Sequence, residues 1–234
     1  MDNVEFSPNE GKKLEITTPY GDYLRIPIKT HVVKSGDNLF KIMDDYVMPH
    51  IQKDDMIFIS EKIVAISQGR AFDIDDIKVS RLAKILCKFV YKSPYGIGLG
   101  SPWTMQLAIE EIGAPRILFA SACSAVTKLF GVRGVFYKIL GTKARAIDGP
   151  CDCTLPPYNH YAKKAPLDPD GVAKKLSEHT GCKVAVMDSN DIGREVLGVS
   201  DKSLEIDFCK AVFEDNPLGQ ASQQTPIAIV RKVV

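Results

Sequence analysis

Val184-Ala-Val-Met-Asp-Ser-Asn-Asp-Ile-Gly-Arg194 is the stretch on which the reading of this chain turns. Its apolar run, Val184 to Met187, is short and bounded by turn-forming residues, the mark of a buried strand. The run ends on Asp188, Asn190 and Asp191, followed by Gly193-Arg194. Carboxylates crowded at the end of a buried strand repel one another and need a counter-charge. The hard cations Mg²⁺ and Mn²⁺ supply one and bridge to substrate phosphates. A polar turn that only caps the next segment is the plainer reading of the same residues.

Just upstream, Asp168-Pro-Asp170 through Gly181 has a helix's start and stop signals. An N-capping Asp precedes Pro at the first helical position, and Gly follows the last turn. The same grammar recurs at Ser101-Pro102 through Gly113, preceded by the glycine cluster Gly96-Ile-Gly-Leu-Gly100. That cluster is neither G-x-G-x-x-G nor a P-loop, so it reads as a connection rather than a phosphate cradle. Residues 14 to 33 alternate and are rich in β-branched residues, predicting strands joined by Pro19-Tyr-Gly21. Ser35 to Val47 resembles a capped helix with Leu39, Phe40, Ile42, Met43 and Val47 on one side. Met56 to Ser60 is a second buried strand, and Ile227 to Arg231 closes the chain as another. Residues 116 to 140 read as core. Strands and helices mix without a regular βαβ rhythm, so the expected class is α+β, with mixed sheets and helices.

The chain has 234 residues, 45% hydrophobic and 25% charged, which suits an ordinary globular protein. Its formal net charge of +1 gives no field to attract nucleic acid or an anionic membrane. No apolar run approaches the roughly 20 residues that span a bilayer. The acidic start, Met1 to Phe6, lacks a signal-peptide pattern, so a cytoplasmic location is the expectation. The six cysteines are scattered, and buried free thiols are expected in such a compartment. Cys151-Asp-Cys153 with His160 hints at zinc, but the spacing is not that of a C-x2-C ribbon and no second pair exists.

Candidates for a phosphate-and-metal site sit at element ends. Lys62 follows a buried strand, where an ammonium can meet a phosphate, or can simply face water. Asp148 and Asp152 lie in a turn-rich loop, where aspartates often bond their own backbone. Gln220 follows Gly219 before the last strand and offers a side-chain carbonyl. Arg70 and Arg194 are candidates for a carboxylate substrate, which an Arg fork binds in bidentate fashion. No Ser-His-Asp or Cys-His arrangement can be read.

The order of these segments resembles a known family. Val33-Lys-Ser-Gly-Asp-Asn-Leu39, then Asp54-Asp-Met-Ile through Ser60-Glu-Lys-Ile-Val-Ala to Gln68-Gly-Arg70, is similar to the opening of the coenzyme F420-0:L-glutamate (gamma-glutamyl) ligases. The likeness continues at Ala146-Ile-Asp148, Pro166-Leu-Asp-Pro-Asp170, Ser189-Asn-Asp-Ile-Gly-Arg194 and Leu218-Gly-Gln220 with Pro226 to Arg231. It spans about residues 25 to 234, leaving 1–24 as an N-terminal extension. Within it, about 85–160 is a candidate second subdomain.

The resemblance implies an α+β fold peculiar to that family, arranged as an intertwined homodimer. It implies GTP as co-substrate, Mg²⁺ or Mn²⁺, and a small-molecule carboxylate acceptor joined to L-glutamate through an amide, via an acyl phosphate. Lys62 and Arg194 would serve catalysis. Lys29, His31, Lys62, Gly219 and Gln220 would contact the nucleotide. Asp148, or Asp152 in a rival register, would hold metal with Asp188, Asn190, Asp191 and Gln220. Asn190 stands where the family has its metal aspartate, and Glu61-Lys62 where it has Gln-Lys. A ligase with another acceptor, or a catalytically silent nucleotide- and metal-binding homologue, is the alternative these departures raise.

Overall fold

The computed structural model describes residues 6–90, 98–132, 134–152, 154–190 and 193–233. In chain order the elements are β1 (Glu15–Thr18), β2 (Gly21–Ile28), α1 (Leu39–Ile42), β3 (Met56–Ser60), α2 (Glu61–Ser67), β4 (Ala71–Asp73), α3 (Arg81–Leu86), α4 (Pro102–Ile112) and α5 (Ala114–Leu129). They continue as α6 (Val135–Leu140), α7 (Thr142–Arg145), β5 (Tyr161–Lys163), α8 (Pro169–Thr180), β6 (Lys183–Ser189), β7 (Arg194–Val199), α9 (Ile206–Val212) and β8 (Ile227–Lys232). The mixture of strand directions is that of the expected α+β class. The chain divides into two compact units: Met1–Gly69 with Pro166–Val234, and Arg70–Ala165. Segment 1–24, read above as an extension, supplies β1 and the start of β2.

The first unit is built on a six-stranded sheet in the order β1-β2-β8-β3-β6-β7. Only β3 and β6 run parallel; the other neighbours are antiparallel. The parallel pair is buried on both faces, which explains why Met56-Ile-Phe-Ile and Val184-Ala-Val-Met are continuously apolar. One face packs Phe58, Ala185, Met187 and Val230 against Phe208, Cys209, Val212 and Phe213 of α9 and its exit. Phe58 and Phe213 stack with ring centres 4.8 Å apart. Burial pushes the Cys209 thiol up to about 12, so it stays protonated there.

The opposite face carries Ile57, Ile59, Val184, Val186, Ile227 and Ile229, all without exposed surface. α8 covers it near β6 and β7, capped by the Asp168 side chain and stopped by Gly181 at φ +74°. Gly198 makes that approach possible. A Cβ there would stand 2.4 Å from the Pro169 carbonyl carbon and 2.5 Å from the Asp170 nitrogen. Backbone atoms cannot swing aside, so Gly198→Ala is expected to cost about 1–3 kcal/mol of stability by overpacking, measured by chemical denaturation.

Two arginines, Arg25 buried and Arg231 part-buried, fasten this sheet. Arg25 is 1% exposed and lies on the α9 face. It donates to the Val212 carbonyl (3.1 Å) at the end of α9, to the Lys13 carbonyl (2.7 Å) and, through both terminal nitrogens, to the Asp215 carboxylate. Arg231 makes a bidentate pair with Asp55, both bonds 2.8 Å, and donates to the His50 carbonyl.

The second unit packs α3 to α7 around Leu99, Met105, Ala108, Ile117, Ala120 and Leu140, beside the β4–β5 pair. α4 begins and ends as its caps predict, at Ser101 and Gly113. The expectation that 116 to 140 is core needs correction. In α5 only Ile117 and Ala120 are buried, while Leu118, Phe119, Val126 and Leu129 are exposed. The helix is apolar on more than one side, so composition alone did not tell which side faces inward.

Candidate active site

Strand directions gather most of the predicted residues of the first unit at one end of the sheet. Ile28 pairs with Ile227, Ile227 with Ile59, Ser60 with Met187, and Ser189 with Arg194. The carboxyl ends of β2, β3 and β6 therefore lie beside the amino ends of β7 and β8. Onto that end the chain delivers Lys29 and His31, Lys62, Asp188 and Asn190, Arg194, and the 219–226 loop. The loops are tied together: Thr30 N–H donates to the Gln224 carbonyl (3.2 Å), the Gln224 amide donates to the Thr30 carbonyl (2.6 Å), and Ser60 N–H donates to the Pro226 carbonyl (2.8 Å).

Lys62 lies in the first turn of α2, its N–H donating to the Ser60 capping hydroxyl. Among the described residues neither its ammonium nor that of the exposed Lys29 has an ion-pair partner. Glu61 beside it is buried, 3% exposed. His31 is held on both ring nitrogens, Nδ1 3.1 Å from the Tyr46 hydroxyl and Nε2 3.0 Å from Asp37 Oδ2. Asp37 also accepts from the Lys34 N–H; that bond, then His31, holds its carboxyl below the usual range. Tyr46 sits in a π-helical turn, Met43–Val47, which continues α1.

Asp188 and its register partner Glu195 face each other across β6 and β7 on the α8 side of the sheet. Sequence reading missed Glu195; the antiparallel pairing of β6 with β7 was the signal that would have found it. Directly opposed carboxylates destabilise a sheet unless something offsets them. Hard oxygen donors so paired suit Mg²⁺ or Mn²⁺. Ser189, one residue on, has a buried hydroxyl without a hydrogen-bond partner among the described residues.

Several expectations are placed differently. Asn190 closes the hairpin, its Oδ1 accepting from Gly193 N–H (2.9 Å) and its N–H donating to the Gly193 carbonyl. The plain turn reading holds for that side chain. Asp191 lies outside the described residues. Arg194 sits on the α9 side of the sheet, away from the Asp188 face, and donates to the Glu214 carbonyl at 2.5 Å. The free fork expected for a substrate carboxylate is thus engaged, because strand alternation sends it to the other face. Arg70 is likewise taken, paired with Glu111 at 2.8 Å within the second unit. Gln220 is exposed, and Gly219 adopts φ +75° where the Gln223 side chain comes close.

Asp148 and Asp152 belong to the second unit. Asp148 forms an antiparallel bridge with Lys163, and its carboxylate accepts from Gly149 N–H (2.9 Å). Asp152 is exposed. Cys151 is disulfide-bonded, against the expectation of free thiols, and so is no zinc thiolate; Cys87, Cys123, Cys182 and Cys209 are free.

The end of the sheet thus combines free ammonium groups with paired carboxylates, a donor set for a phosphorylated substrate and its metal. The family model for F420-0:gamma-glutamyl ligase matches residues 27–195, more than half of the chain and most of the elements that build this end. The chain belongs to the F420-0:gamma-glutamyl ligase family. Membership makes it a ligase-type enzyme, and the match contains Lys29, Lys62, Asp148 and Asp188. It stops at Glu195, before β8 and the 219–226 loop. No curated protein matches the chain. Among the described residues no helix is long and apolar enough to cross a membrane.

Proposed function

We propose that the protein is a nucleotide-driven, metal-dependent gamma-glutamyl ligase, with GTP as co-substrate and F420-0 or a related carboxylate as acceptor. The observation that supports this reading best is the convergence of Lys29, Lys62, Asp188 and Glu195 on one end of the sheet. The acceptor carboxylate takes the terminal phosphoryl group of the nucleotide and becomes an acyl phosphate. The amine of L-glutamate then attacks the acyl carbon, the amide bond forms, and phosphate leaves. Such phosphoryl transfer asks the protein mainly for positioning and charge neutralisation. Lys62 and Lys29 hold phosphate oxygens, and the 219–226 loop with Gly219 and Gln220 borders the nucleotide beside His31.

Asp188 and Glu195 would hold Mg²⁺ or Mn²⁺, with Asp191 and Gln220 as further ligands from the same unit. An ion held there would supply neutralisation of charge on the transferring phosphate. A homodimer completes the proposal, and the exposed apolar side of α5 is a surface suited to such burial. One observation favours a second reading, a homologue with a different acceptor or without turnover: the Asn190 oxygen is committed to its own hairpin.

A ligand that binds only the folded state raises the melting temperature by mass action. GTP with Mn²⁺ or Mg²⁺ is expected to raise it by several degrees, and GTP with chelator much less, in a thermal-shift screen that includes ATP and GDP. Identical melting with every nucleotide removes the proposal. Stabilisation without phosphate release in the presence of F420-0 and glutamate favours the second reading.

A further inference from the structure

Remote in sequence from the Asp188–Glu195 pair, the second unit carries a side-chain cluster that the ligase reading does not use. Asp73 ends β4, Asp75 follows it in the next turn, and His160 closes the 3-10 turn that enters β5. One donor atom from each lies within 4.8 Å of the others. His160 Nε2 stands 3.3 Å from Asp75 Oδ2 and 3.6 Å from Asp73 Oδ1. These separations are long for charge-assisted hydrogen bonds, which run about 2.7–2.9 Å. They fit the edges of a coordination shell instead. Ligands about 2.1 Å from a tetrahedral Zn²⁺ lie about 3.4 Å from one another.

The backbone fixes all three positions. Asp73 pairs with Tyr161 across β4 and β5, Ile74 N–H donates to the His160 carbonyl (3.2 Å), and Asp76 N–H donates to the Asp73 carbonyl (3.1 Å). Asp73 Oδ1 accepts from Asp75 N–H at 3.0 Å, which turns the two carboxylates to the same side. The side chains are half-exposed or exposed, so the outer side of the cluster opens to water.

We propose that Asp73, Asp75 and His160 bind a borderline divalent transition ion of the Zn²⁺ class. An imidazole nitrogen in the donor set selects such an ion over Mg²⁺ or Ca²⁺. Three protein ligands with an open outer position make a site that keeps water on the metal. The ion clips the His160 turn to the end of β4. The Cys151 disulfide leaves His160 to these carboxylates rather than to the thiolates that the sequence suggested.

The test uses the full chain, stripped with chelator and titrated with Co²⁺. A saturable, intense d–d absorption that Zn²⁺ displaces is expected. Asp73→Asn and His160→Gln should each weaken Co²⁺ binding by more than about 100-fold, beyond what loss of an outer-shell partner costs. Asp75→Asn, at a carboxylate 85% exposed, should weaken it without altering the melting temperature of the metal-free protein. Asp188→Asn with Glu195→Gln should leave the band intact, which separates this site from the proposed ligase site. Absence of the band, or a band unchanged in His160→Gln, overturns the proposal and leaves a surface His–Asp ion pair.

Discussion

Lys62→Met is expected to lower nucleotide-dependent amide formation by about 100-fold or more, the usual loss when one preorganised charge or donor on a reacting oxygen is removed. The metal-dependent thermal shift with GTP should shrink with it. The melting temperature of the ligand-free protein should stay where it is. The reason is local: Lys62 serves the fold through its backbone in α2, and its ammonium has no ion-pair partner among the described residues. A methionine keeps an unbranched stem of similar length and removes the charge. Unchanged turnover by Lys62→Met sinks the proposed role of this residue. A large loss of stability in its place assigns Lys62 to the fold.

The second large effect is on stability. Asp215→Ala is expected to destabilise the protein by about 3 kcal/mol, since removing one partner of a buried pair strands the other charge. The value sits at the low end of that range because Asp215 keeps 35% of its side-chain surface in water, whereas Arg25 keeps 1%. For a chain of this size that is a fall of roughly 6–12 °C in melting temperature. Arg25→Met should cost less than Asp215→Ala, because it removes the buried charge instead of orphaning it.

The pair also sets a pH dependence. Burial pushes the Asp215 carboxyl up, but hydrogen bonds and charge from Arg25 outweigh it and hold the group below the ordinary carboxylate range. A carboxyl lowered on folding contributes stability that is full above its unfolded value and lost as pH falls through the folded one. Acid denaturation of Asp215→Asn should therefore be flatter below about pH 4 than that of the parent protein.

Much of this was legible in the chain because it rests on local rules. The caps Ser101–Gly113 and Asp168–Gly181 mark their helices to the residue, since capping side chains and αL glycines act within one turn. The strands at Met56 and Val184 announce themselves because both of their faces are buried. The order of motifs along the chain carried the family, and the match over residues 27–195 bears that out. What stayed hidden depends on pairing across space. Glu195 becomes a partner of Asp188 only through strand register. Arg194 is a free fork in the sequence and an engaged one in the fold, because alternation turns it to the α9 side. The burial of Arg25 depends on the end of α9, distant in sequence, which closes over it. The inward side of α5 is equally illegible, since both sides are apolar.

β8 lies between β2 and β3, although it follows every other strand of this sheet in the chain. Until residues 227–232 arrive, β1–β2 and β3–β6–β7 are separate pieces, each with a bare apolar edge where the missing strand belongs. The sheet thus closes only once residues 227–232 have been made, by contacts about 200 residues apart, and such late long-range pairing is slow and exposes edges to other chains. In the living cell this protein is expected to depend on chaperones that shield nascent sheet edges. A ribosome stalled just short of Ile227 should hold a chain that proteases cut readily between its two half-sheets.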